Sequence, residues 1–114
     1  MSLAALTDSE REVIRQCVVA LRDGRFLDES DIESRVGLSA DAYDRLRAQW
    51  PDLDDRDDDS EACLLVNNAL NEVSHGVRLS DADWARWFTV PRAQVAQVYR
   101  RWANGRGWER TGIR

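Results

Sequence analysis

The side chains best placed to do chemistry in this sequence lie near its C-terminal end, in Arg92-Ala-Gln-Val-Ala-Gln-Val-Tyr-Arg-Arg-Trp102. Val95, Val98, Tyr99 and Trp102 recur at helical spacing, so the opposite face of that helix presents Ala93, Ala96, Gln97, Arg100 and Arg101, with Arg92 at its start. Small residues permit close approach to a groove, a glutamine can pair bidentately with adenine, and an arginine can take guanine or phosphate. This makes Arg92, Gln97, Arg100 and Arg101 candidate nucleic-acid contacts. The competing reading is a solvated helix face whose late arginines complement the helix dipole. Catalysis finds less support: the single histidine, His75, stands beside a helix-ending glycine with no Ser or Cys motif that places a nucleophile near it. The sequence is therefore read as non-enzymatic, with no cofactor. The acidic run Asp52 to Asp59 lacks the glycine and terminal glutamate of a calcium loop, so no metal site is expected either.

What positions these residues is a repeat. A shift of 52 lays residues 13 to 50 onto 65 to 102 without a gap, apolar on apolar: Ile14 on Val66, Leu21 on Val73, Ile32 on Trp84, Val36 on Phe88, Leu46 on Val98 and Trp50 on Trp102. One supersecondary unit used twice accounts for such a period. Thr7-Asp-Ser-Glu10 spells a capping box, apolar residues follow at helical spacing to Leu21, and Gly24 is placed to turn left-handed. Asp28 caps a short second helix, Ser39 caps a third, and Pro51 ends it. The second copy opens at Asp59 or Ser60, closes its first helix at Gly76, and caps its second with Ser80; Pro91 stands where a first helical residue lacks an amide partner anyway, and the third helix runs from about Arg92 to Ala103. The expected architecture is all-α: two tandem three-helix modules, 1–51 and 60–104, packed into one small bundle. An acidic, solvated linker at 52–59 joins them, and a tail at 105–114 carries Trp108.

The plan resembles the helix-turn-helix fold. Leu6-Thr-Asp-Ser-Glu-Arg-Glu-Val-Ile14, followed by Asp31-Ile and Val36-Gly-Leu-Ser39, is similar to the last domain of bacterial sigma factors and related regulators. Asp83-Trp-Ala-Arg-Trp-Phe-Thr-Val-Pro-Arg-Ala-Gln-Val95 resembles the bihelical core of the same fold. The resemblance implies that Ala85 sits where the two short helices cross. The copies depart from the pattern at Glu33, which takes that crossing position in the first, and at Thr89, which replaces the glycine of the turn in the second.

Charge separates the copies. Residues 1–60 carry sixteen acids and eight arginines, a net of −8, and residues 61–114 carry five acids and eight arginines, a net of +3, which recovers the chain's −5. The first-copy counterparts of the outer face are Asp41, Asp44, Arg45, Ala48 and Gln49, and carboxylates aimed at a groove would repel a phosphate backbone. Surplus apolar residues on otherwise polar faces, Val19, Leu64 and Trp87, mark a seam between the copies or a protein interface. Trp84 and Phe88 are expected in the core, as are Trp50 and Trp102. No apolar run reaches the length of a membrane span and no signal peptide is evident, so a cytoplasmic protein with reduced Cys17 and Cys63 is expected. The basic residues are all arginine, a bias suggestive of a GC-rich bacterial source. Two functions follow: a small regulatory protein–protein module, self-association included, or a DNA-binding regulator reading DNA through the helix at 92–103.

Overall fold

A computed structural model describes residues 3–106, and every regular element among them is helical. A 3-10 turn, Leu3–Ala5, precedes α1, Asp8–Asp23. Helix α2, Glu29–Asp31, continues as a π-helical turn, Ile32–Val36, and α3 covers Ala40–Ala48. Helix α4, Glu61–Asn71, likewise runs into a π turn, Glu72–Gly76, followed by α5, Asp81–Trp87, and α6, Arg92–Asn104.

The helix starts follow from their caps. Thr7 and Glu10 satisfy each other's backbone amides in a capping box, Asp28 and Asp31 do the same, and Ser39, Ser60 and Ser80 each accept from the amide three residues on. Pro91 stands one position outside α6 as its N-cap, in extended backbone, so the helix begins at Arg92. Gly24 does not take the expected left-handed conformation. Its φ is −76°, and the positive φ falls one residue later on Arg25, at 58°. Gly24 is needed for space instead, because a Cβ there would run into the Phe26 ring and the Ala20 carbonyl. The left-handed glycine is Gly37, φ 86°, which closes α2 through a hydrogen bond from its amide to the Ile32 carbonyl.

Helix α4 is apolar on most sides and lies at the centre, packed on α1, α3, α6 and the π turn of α2. Leu65, Val66, Ala69 and Leu70 are fully buried there, and burial of each larger side chain contributes on the order of 2 kcal/mol. Residues of both halves form one continuous core. Helix order recurs in the two halves: the caps Asp28 and Ser80 are 52 residues apart, as are Ser39 and Pro91. Reciprocal hydrogen bonds tie the halves together. Gln16 of α1 donates to Thr89 Oγ1 (2.8 Å) and accepts from the Thr89 amide (3.1 Å), while its counterpart Asn68 of α4 donates to the Val36 carbonyl (2.7 Å).

The halves differ in depth of packing. Ile32 and Val36 are buried, whereas α5 contains no buried residue and Trp84 is half-buried; only Phe88, just past its end, reaches the interior. Ala85 is exposed and so is not the crowded crossing point that the resemblance implies. Trp102 is 1% exposed inside α6, but Trp50 is half-buried beyond the end of α3. Helix α3 ends at Ala48 ahead of Pro51, so the Trp50 ring packs at the edge of the core rather than inside it.

The acidic run also departs from a solvated linker. Asp55 is completely buried: its carboxylate accepts from the Leu3 amide (3.0 and 3.2 Å) and from Trp102 Nε1 (2.8 Å) and pairs with Arg106 (3.5 Å). The Arg106 side chain is itself 2% exposed, covers the Trp102 ring at 4.9 Å, and bonds Asp58. Repulsion among the surrounding acids exposes them to water, as expected, but three donors converging on one carboxylate hold Asp55 inside. Trp108 lies outside the described residues.

Candidate functional site

Helix α6 presents the face anticipated from its periodicity. Val95, Val98, Tyr99 and Trp102 are buried, Ala96 is half-buried, and Ala93, Gln97, Arg100 and Arg101 are exposed. The core side is fixed by polar contacts as well as packing. The Tyr99 hydroxyl donates to Asn67 Oδ1 at 2.7 Å, and burial pushes its pKa above the ordinary range. The face therefore cannot rotate without stranding that bond and the Trp102–Asp55 bond.

Two of the four candidate nucleic-acid contacts are engaged within the chain. Arg92 Nη2 donates to the Leu79 carbonyl (2.7 Å) and pairs with Asp81 (3.3 Å), and its guanidinium covers the Trp84 ring at 4.5 Å. Arg101 pairs with Glu10 at 2.8 Å. Partial desolvation of Glu10 opposes its ionisation, but hydrogen bonds with Thr7 and the Arg101 charge prevail and hold its carboxyl below the usual range. Gln97 and Arg100 have no side-chain partner among the described residues. They border a groove of about 540 Å³ lined by Ala5 and Leu6 on one side and by Gln97, Arg100, Arg101 and Asn104 of α6 on the other. Its N-terminal wall is fastened from behind: Asp55 holds the Leu3 amide, and Arg11 donates to the Leu3 and Leu6 carbonyls.

On α3 the corresponding face is acidic and partly neutralised. Asp41 is exposed, Asp44 accepts two bonds from Arg22 (3.1 and 3.0 Å), and Arg45 pairs with Glu61 of the second half (3.0 Å). The Arg22 hydrogen bonds draw the Asp44 carboxyl below its ordinary range. Across the described residues, ion pairing leaves Arg25, Arg78, Arg86 and Arg100 without a carboxylate partner, three of them in the second half. No known protein family, curated protein or solved structure matches this chain.

Val19, Leu64 and Trp87 are each half-buried. Leu64 and Trp87 pack against the core, and Arg86 lies over the Trp87 ring at 5.6 Å. Trp87 holds the register position of Arg35, which bonds across the seam to Glu72 at the start of the π turn after α4 (2.8 Å). Cys17 and Cys63 are both buried, and desolvation raises the Cys17 pKa far above that of a reactive thiolate. Among the described residues, no group of three or more His, Cys, Asp or Glu could hold a metal, and no helix is long and apolar enough to cross a membrane. His75 is exposed at the end of the α4 π turn. Periodicity identified Gln97 and Arg100 but missed Ala5, Leu6 and Glu10. A contact spanning some ninety residues, such as Glu10 with Arg101, has no local signature.

Proposed function

We propose that this protein is a small, non-enzymatic protein–protein interaction module of helix-turn-helix-like build, and that the groove between Leu6 and α6 receives an acidic segment of a protein partner. The observation that carries this reading is that Arg92 and Arg101 are already engaged, by Asp81 and by Glu10, which leaves Arg100 as the one arginine of α6 without a carboxylate among the described residues. Duplex affinity grows with the number of phosphates that cations neutralise, and among the described residues of the second half only Arg78, Arg86 and Arg100 lack a carboxylate partner. A short peptide asks for less: an apolar side chain against Ala5 and Leu6, and a carboxylate on Arg100 with Gln97 beside it. A regulatory role, a cytoplasmic setting suited to two buried thiols, and a bacterial source with arginine as its sole basic side chain complete the proposal.

One observation favours the second reading, DNA recognition. Ala93, Gln97 and Arg100 line one exposed face of α6 directly after a tight turn, as a groove-reading helix requires. Fluorescence anisotropy separates the two readings. An acidic amphipathic peptide should bind wild-type protein, and Arg100→Glu should weaken it at least about tenfold by setting like charges together. A duplex should show no more than weak binding with a shallow salt slope of about one to three. Steep, salt-dependent duplex binding lost in Arg100→Ala would favour DNA, and absence of peptide binding would overturn the proposal.

A further inference from the structure

A second cavity, of about 270 Å³, lies where the π turn of α4 meets the first half of α6, and it is lined by Val73, Ser74, His75, Trp84, Arg92 and Val95 together with two alanines of α6. We propose that it binds a small monocarboxylate with a short hydrocarbon tail. This inference is independent of the groove beside Leu6.

The argument begins with Ser74. Its hydroxyl is buried and has no hydrogen-bond partner, the one such side-chain atom among the described residues. A buried hydroxyl without a partner is a net cost, and here it borders open space rather than packed atoms. The π turn is what puts it there. With Val77 bonding back five residues to the Glu72 carbonyl (2.9 Å), the helix widens and delivers Val73, Ser74 and His75 to the cavity.

Arg92 supplies a charge that is held in place. Trp84 is locked by its indole bond to the Val90 carbonyl (2.7 Å) and by stacking on Phe88 (4.1 Å), and the Arg92 guanidinium rests over that fixed ring. Both polar contacts of Arg92 use Nη2, so the donors on Nε and Nη1 remain for a ligand. No carboxylate lines the cavity, so the guanidinium, the Ser74 hydroxyl and the His75 ring all suit an anion. Val73, Val95 and the alanines suit a hydrocarbon. At about 30 Å³ for each water displaced, the volume accommodates an acid of roughly eight heavy atoms or fewer.

The test is an NMR titration of the full chain, read at the Trp84 indole N–H and the His75 ring protons, with butyrate against butan-1-ol and inorganic phosphate at matched ionic strength. Butyrate should shift both signals saturably, and the alcohol and phosphate should bind at least about tenfold more weakly, because one lacks the charge and the other the tail. Ser74→Ala should weaken butyrate several-fold while leaving the urea midpoint unchanged or higher, a pairing of effects that a purely structural serine would not produce. Ala96→Leu, which fills the cavity without touching Arg92, should abolish binding. Equal binding of alcohol and acid, or no saturable butyrate shift, would overturn the proposal.

Discussion

Removing the Asp55 carboxylate tests how this fold is held closed. In Asp55→Ala the Leu3 amide and the Trp102 indole N–H lose their acceptor, and Arg106, 2% exposed, loses its buried carboxylate and keeps only the exposed one of Asp58. Breaking a buried pair by deleting one partner costs about 3–5 kcal/mol, most of it the penalty of the groups left behind. Against a total stability of roughly 5–15 kcal/mol this is a large fraction. At about 4–8 °C per kcal/mol for a domain of this size, the melting temperature should fall by at least about 12 °C. Urea unfolding followed by far-ultraviolet circular dichroism measures the loss, and Arg106→Met added to Asp55→Ala should recover part of it by removing a buried charge that has lost its buried partner. Hydrogen exchange supplies a local readout, since the Leu3 amide should lose protection before the amides of α4 do. An unchanged urea midpoint in Asp55→Ala would refute the reasoning and return the whole acidic run to the solvent.

Trp102→Ala should cost about 3–5 kcal/mol by urea unfolding, whereas Trp50→Ala, whose ring is half-buried, should cost less than half as much. Gly37→Ala should cost about 1 kcal/mol from its left-handed backbone alone, because a Cβ there meets open space. Gly76→Ala should cost more, because its Cβ would displace the Glu72 carboxylate from Arg35; a chemical-denaturation comparison of the two variants decides the order. The Asp44 carboxyl is held below its unfolded pKa by hydrogen bonds from Arg22, so its contribution to stability is present above about pH 4 and is lost as the pH falls through the lower folded value. Asp44→Asn should therefore flatten the acid limb of a stability–pH curve and leave the limb above neutrality unchanged.

Much of the fold was legible because helix caps and apolar period are local signals. Thr7, Asp28, Ser39, Ser60 and Ser80 announce helix starts by side-chain chemistry alone, and the 3.6-residue period assigns Val95, Val98, Tyr99 and Trp102 to the core. What escaped depends on residues far apart in the chain. Asp55 is one acid among six in an eight-residue run, and its burial follows from donors supplied by Leu3, Trp102 and Arg106. Residue type alone points to Gly24 for the left-handed turn, yet the ring of Phe26 claims the space beside it and Arg25 takes the unusual backbone. Of the candidate site, the outer face of α6 was legible, but the pairing of Arg92 with Asp81 and of Arg101 with Glu10 was not.

The bonds from Gln16 to Thr89 and from Asn68 to Val36 approximate an isologous interface: equivalent side chains of the two halves each reach the opposite half, at acceptors one residue apart in the repeat register. On two separate chains such an interface would hold only at sufficient concentration. On one chain it is permanent, since the short connection between α3 and α4 keeps the halves at high effective concentration. Covalent linkage also lifts the requirement that both sides carry the same residues. The two halves can then carry opposite net charge, as the division of −8 and +3 shows.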